Sequence, residues 1–87
     1  MNAHTPTAIL ADDEPLLRES LREALAEAWP ELELVAECRN GAEAVHAARE
    51  HRPAVAFLDI EMPGMNGLEA ARAVSEHAHV VFVTAYD

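Results

Sequence analysis

The hydrophobic pattern along the chain switches repeatedly between two periods. Thr7-Ala8-Ile9-Leu10-Ala11 is a short apolar run that stops at Asp12-Asp13-Glu14-Pro15. That predicts a strand covered on both faces, then a helix start. Leu17, Leu21, Ala24, Leu25 and Ala28 follow at three- and four-residue spacing, with Arg18, Glu19, Arg22, Glu23 and Glu27 on the other face. This is the stripe of an amphipathic helix. Glu14 and Arg18 stand one turn apart in the favourable acid-first order, and Trp29-Pro30 ends the helix. Residues 32–38 alternate, with Leu32, Leu34, Ala36 and Cys38 on one side and Glu33, Val35 and Glu37 on the other; this predicts a half-exposed, edge-type strand. Asn40-Gly41-Ala42-Glu43 is a capping-box variant that opens a second helix with Ala44, Val45 and Ala48 as its apolar stripe.

After Pro53 comes a second wholly apolar run, Val55-Ala56-Phe57-Leu58, which stops at Asp59. A loop with Pro63, Gly64 and Gly67 follows. Asn66 and Glu69 repeat the capping logic, and Leu68, Ala71 and Val74 mark a third helix. Its face is poor in large side chains, so it is expected to lie close to the sheet. Val80-Val81-Phe82-Val83 is a fourth apolar strand, ending in Thr84-Ala85-Tyr86-Asp87. Strands alternating with helices predict an α/β domain with a parallel sheet and right-handed crossovers. All strand carboxyl ends then lie along one edge, where ligands bind in open α/β sheets.

The 87 residues, 51% of them hydrophobic, suffice for one small domain with a core. No apolar run approaches the roughly 20 residues a membrane helix needs, and the N-terminus has no signal-like region, so a cytoplasmic location is expected. The net charge of −10 comes from six arginines against sixteen acids, with no lysine. That excludes the clustered cations a nucleic-acid backbone requires. The lone Cys38 is expected to be a small core residue, and His4, His46, His51, His77 and His79 show no zinc-ligand spacing.

The predicted edge collects Asp12 and Asp13 from the first strand, Asp59 from the third and Thr84 from the fourth. Asp12-Asp13-Glu14 alone reads as a helix cap, and a strand-end aspartate such as Asp59 commonly starts a turn. If the first and third strands are neighbours, however, three carboxylates converge, and they cannot stay ionised without a partner. A hard divalent cation supplies one: Mg²⁺ prefers oxygen ligands, keeps several waters and often bridges carboxylates to phosphate. Such a site also suits one carboxylate to attack phosphorus and carry an acyl phosphate, with the Thr84 hydroxyl as a donor to a phosphoryl oxygen.

Asp12-Asp13 after the first strand, Asp59 before Met62-Pro63-Gly64-Met65-Asn66-Gly67, and Thr84-Ala85 after the fourth strand together resemble the receiver domain of two-component response regulators. The resemblance runs from about Thr7 to the end of the chain. It implies a flavodoxin-like sheet in the order 2-1-3-4 with helices on both faces. It also implies a signalling phosphoacceptor rather than a metabolic enzyme, served by a sensor histidine kinase. By resemblance, Asp59 accepts the phosphoryl group, and Asp13 binds Mg²⁺ directly. Asp12 does so directly or through water, and the Glu61 backbone carbonyl completes the protein ligands. Thr84 is the switch hydroxyl, the Ala85 N–H faces the phosphoryl group, and the side chains of Glu61 and Tyr86 flank the entrance. The ending Thr84-Ala85-Tyr86-Asp87 also resembles receivers that precede a LytTR-type DNA-binding domain.

Members of that family continue past the threonine with two more helices and a fifth strand. That strand carries a lysine that contacts the phosphoryl group and an aromatic residue. The expectation is therefore a receiver over residues 1–87 that lacks the last strand and last two helices, with slow or unstable acyl phosphate formation. It is also expected to form a homo-oligomer through an exposed fourth strand or by exchange of elements. The alternative is a receiver that is not phosphorylated and acts only as an oligomerisation or protein-binding module. A flavin-binding domain fits poorly, because Asp12-Asp13-Glu14 would repel the phosphate that its first loop must cradle. An Mg²⁺-dependent phosphatase would usually place its nucleophile after the first strand.

Overall fold

The computed structural model describes residues 5–62 and 67–83. Seven elements alternate along them: β1 (Thr7–Ala11), α1 (Pro15–Ala28), β2 (Glu33–Cys38), α2 (Gly41–His51), β3 (Val55–Asp59), α3 (Gly67–Val74) and β4 (His79–Val83). All strand pairs are parallel and the sheet order is β2-β1-β3-β4. The parallel α/β sheet is the one the alternating periods predict, its order is that of the flavodoxin-like sheet the resemblance implies, and the element bounds match the hydrophobic pattern closely.

Residues paired in parallel register share a face of the sheet. Ile9 pairs with Ala56 and Ala11 with Leu58, and these four turn toward α2 and α3. There they form one core with Ala44, Val45, Ala47, Ala48, Ala71 and Val74. Alanine dominates these contacts, so the two helices sit near the strands, as the small stripe of α3 leads one to expect. Leu10, fully buried, takes the opposite face, on which Glu37 of β2 meets Arg18 and Arg22 of α1. No residue of α1 is itself buried: Leu17, Leu21 and Leu25 are half-covered, and Leu16 is 76% exposed.

Three local features depart from the sequence pattern. In β2 the expected continuous alternation breaks, because Ala8 pairs with Leu34 but Ile9 pairs with Ala36, leaving Val35 as an extra residue. Such a bulge flips the strand by one position. Leu34 therefore shares the face of Ala8, while Ala36 and Cys38 share that of Ile9 and Ala11. In α3 the buried positions are Ala70, Ala71 and Val74, and Leu68 is exposed. Glu14 caps α1 without a side-chain hydrogen bond, and Arg18 turns its guanidinium away from Glu14 to other partners.

The cap of α2 forms as its sequence suggests. Asn40 Oδ1 accepts the Glu43 N–H at 2.8 Å, and Glu43 Oε1 accepts the Arg39 N–H at 2.8 Å. The return bond thus reaches one residue further back than in the usual box. The helix ends on Arg52 in the left-handed region, at φ 45°. Pro53 follows immediately and cannot continue a helix. The turn brings the chain back so that the Ala54 N–H donates to the Thr7 carbonyl, which starts β3 beside β1.

Candidate metal centre

The site is built where β1 and β3 end. Ala11 lies opposite Leu58, so the next residues, Asp12 and Asp59, leave the sheet side by side and on one face. Asp13 follows in the turn toward α1. One carboxylate oxygen from each of Asp12, Asp13 and Asp59 can be chosen so that all three lie within 4.8 Å of one another. The condition the pattern left open, adjacency of the first and third strands, is met. Asp12 is 3% exposed, Asp59 half-buried and Asp13 exposed, so the cluster opens to solvent on one side.

The two strand ends turn in the same way. Asp12 Oδ1 accepts the Glu14 N–H at 2.9 Å, and Asp59 Oδ1 accepts the Glu61 N–H at 3.0 Å. Each aspartate thus caps its own turn two residues on, which fixes one oxygen and orients the other. The turn reading of Asp59 therefore holds together with the cluster reading, and Asp12 turns in the same way. The helix-cap reading of Asp12-Asp13-Glu14 does not hold, since Glu14 caps α1 without a side-chain bond. Asp12 is further held through its backbone: its N–H donates to the Cys38 carbonyl at 3.0 Å, and its carbonyl accepts from Arg18 Nη1 at 2.7 Å.

Burial pushes the Asp12 carboxyl above the usual aspartate range. The Glu14 N–H works against that shift, the charges on Asp59 and Asp13 add to it, and Arg18 opposes it. The net effect is that the Asp12 carboxyl holds its proton more tightly than a free aspartate does. Arg18 hydrogen-bonds the Asp12 carbonyl rather than its carboxylate. Three hard oxygen donors, crowded and short of positive charge, form a set that fits Mg²⁺.

Glu61 is exposed and gives its amide to Asp59. Met62 is buried in the α2–α3 core and anchors the loop that leaves Asp59. Thr84, Ala85 and Tyr86 lie outside the described residues, as do Pro63, Gly64, Met65 and Asn66. The sequence reading missed that Arg18 reaches the Asp12 carbonyl. The Glu14–Arg18 spacing drew attention to the wrong partner.

Comparison with known proteins agrees with this geometry. Residues 8–87 match the model of the response regulator receiver domain. The chain belongs to that family. It is 53% identical over 90 residues to an uncharacterised response regulatory protein of Vibrio cholerae, covering 100% of this chain and 34% of that protein. It is 46% identical over 81 residues to the transcriptional regulatory protein BtsR of Escherichia coli K12, covering 91% and 34%. The chain thus spans about a third of the length of the curated relatives it matches. Among solved structures, the receiver domain of the response regulator NarL from Mycobacterium tuberculosis superposes with a TM-score of 0.83 at 35% identity, covering 95% of this chain and 68% of that one. TrrA of Thermotoga maritima, solved in complex with Mg²⁺ and BeF, gives a TM-score of 0.81 at 35% identity and covers 94% and 71%. The receiver is a two-component signalling module. Among the described residues, no helix is long and apolar enough to cross a membrane.

Proposed function

We propose that this receiver takes a phosphoryl group from a sensor histidine kinase onto Asp59, with Mg²⁺ held by Asp12, Asp13, Asp59 and the backbone carbonyl of Glu61. The observation that carries the reading is the meeting of three carboxylates from two neighbouring strand ends within 4.8 Å. The bound ion would offset the negative charge of the carboxylates and of the incoming phosphoryl oxygens. A carboxylate oxygen of Asp59 attacks phosphorus as the bond to the kinase's histidine nitrogen breaks. The electron pair leaves with the imidazole, which regains a proton from solvent, and an acyl phosphate remains on Asp59. The Glu61 amide fixes Asp59 Oδ1, so the carboxylate meets the phosphorus in one orientation. The Thr84 hydroxyl and the Ala85 N–H are proposed donors to the phosphoryl oxygens, and the Glu61 and Tyr86 side chains flank the entrance.

The 87 residues contain no lysine. The relative BtsR is named a transcriptional regulator, and control of transcription by the whole protein belongs to the same proposal, with a cytoplasmic location.

Intact mass after incubation with acetyl phosphate tests the reading. It expects one phosphoryl group added to wild type in Mg²⁺, and none to Asp59→Asn or without Mg²⁺. Equal addition to wild type and Asp59→Asn would overturn it.

A second reading has its own observation. Val81 and Phe82 on β4 are 42% and 43% exposed, and β4 stands at an end of the sheet. Self-association through this strand would cover both side chains. Light scattering at micromolar concentration expects a mass above one chain, and a monomer mass would exclude it.

A further inference from the structure

The helix that follows Asp12 is held unusually. None of its residues is buried, so apolar packing alone fixes α1 weakly. A polar clamp lies at its start. Glu37, on the α1 face of β2 opposite Leu10, meets two arginines one turn apart. Its Oε2 accepts from Arg22 Nη1 at 2.9 Å, and its Oε1 lies 3.8 Å from Arg18 Nε. Arg22 is also within 3.8 Å of Glu19. The Arg18 side chain is only 16% exposed, and its Nη1 reaches past the helix start to the Asp12 carbonyl at 2.7 Å.

That carbonyl belongs to the peptide unit joining Asp12 to Asp13. The unit is planar, so fixing its oxygen sets the last backbone torsion of Asp12 and the first of Asp13 together. Those torsions aim Asp13 and place the Glu14 N–H, which in turn holds Asp12 Oδ1. The Asp12 N–H is already fixed by Cys38 and its Oδ1 by Glu14, and the peptide oxygen is the remaining point of control.

We infer that Arg18, braced by Glu37, is a positioning residue: by holding the Asp12–Asp13 peptide it sets the angle at which both carboxylates face Asp59. This rests on the reading of the three aspartates as a Mg²⁺ site and adds to it a residue that binds neither metal nor phosphate. It is distinguishable from a charge effect by sign. Removing a cation beside three carboxylates makes the pocket more negative, so Coulomb attraction alone would tighten Mg²⁺ binding. Loss of positioning weakens it.

Calorimetric Mg²⁺ titration of wild type, Arg18→Met and Arg18→Lys decides between them, with thermal melts confirming that each is folded. Arg18→Met is expected to bind about tenfold more weakly or worse, the scale seen when groups that orient metal ligands are lost. Arg18→Lys keeps a donor and the charge and recovers most of the affinity. Unchanged or tighter binding by folded Arg18→Met would overturn the inference and leave Arg18 a structural residue.

Amide exchange of the Glu14 N–H without Mg²⁺ is the second readout, since Asp12 Oδ1 holds it. Faster exchange in Arg18→Met supports positioning, and an unchanged rate overturns it. If Arg18→Met does not fold, Glu37→Gln, which loosens the clamp but keeps Arg18, is read by the Glu14 exchange rate alone, because losing the Glu37 charge would by itself weaken Mg²⁺ binding. Faster exchange then supports positioning, and an unchanged rate overturns it. A wild type that binds no Mg²⁺ would remove the functional reading, and the exchange rates would then judge the positioning claim alone.

Discussion

Asp12 and Asp59 are neighbours because Ala11 stands opposite Leu58 in the β1–β3 register. Each then turns its own loop with Oδ1 on the N–H two residues ahead. One oxygen of each lies within 4.8 Å of the other and of an Asp13 oxygen. A one-residue slip of β3 would turn Asp59 to the α2–α3 face and dissolve the cluster. The register is pinned by the buried pairs Ile9 with Ala56 and Ala11 with Leu58, so the hydrophobic core carries the chemistry of the strand ends.

Stability without divalent ions should therefore depend on pH through Asp12. Its carboxyl is raised in the folded chain, first by burial and then by Asp59 and Asp13. A raised folded pKa means that the contribution of this group is full below the ordinary aspartate value, about 3.9. It is lost as pH climbs through the raised value. Asp12→Asn removes the term, so its melting temperature should gain on wild type between about pH 4 and pH 7. A difference that does not change with pH would contradict this.

Mg²⁺ should act in the opposite direction, because a ligand carboxylate must be ionised to bind it. At a hundredfold excess over its dissociation constant, the ion adds about 2.7 kcal/mol of stability. Thermal melts in Mg²⁺ should show the gain growing as pH rises. A gain that is the same at both ends of the range would argue against carboxylate ligands.

Leu58 and Leu16 should differ sharply on truncation. Leu58 is fully buried beside Asp59, whereas Leu16 is 76% exposed. Leu58→Ala is expected to cost about 2–5 kcal/mol in urea unfolding. Leu16→Ala should stay within about 0.5 kcal/mol of wild type. Equal losses would show that α1 is packed more firmly than its exposure indicates.

Most of this architecture is legible in the sequence because the pattern is strong where the core is dense. The runs 7–11 and 55–58, and the alanine stripe of α2, leave little choice of element or face. The bulge at Val35 is invisible because Leu32, Leu34, Ala36 and Cys38 read as unbroken alternation, and only pairing with β1 reveals the extra residue. Leu68 fits a helical stripe by spacing, yet Ala70 takes the buried position. The three aspartates are visible as strand-end acids. Arg18 is not, since its partner is a backbone carbonyl, which no side-chain pattern records.

Cys38 should be chemically silent in the folded chain. It is buried at the end of β2, and burial, with Glu43 adding, pushes its thiol up to about 11. The reactive thiolate is then scarce at neutral pH. A thiol reagent should label it only as the chain unfolds, at a rate that follows denaturant. Labelling of the native chain as fast as a free thiol would show that the β2 end is open.

The most direct test of the whole account is a calorimetric Mg²⁺ titration of wild type beside Asp13→Asn and Asp59→Asn. One ion per chain is predicted, with affinity falling about tenfold or more in each variant. No binding to wild type, or the same affinity in all three, would mean that these carboxylates do not share an ion.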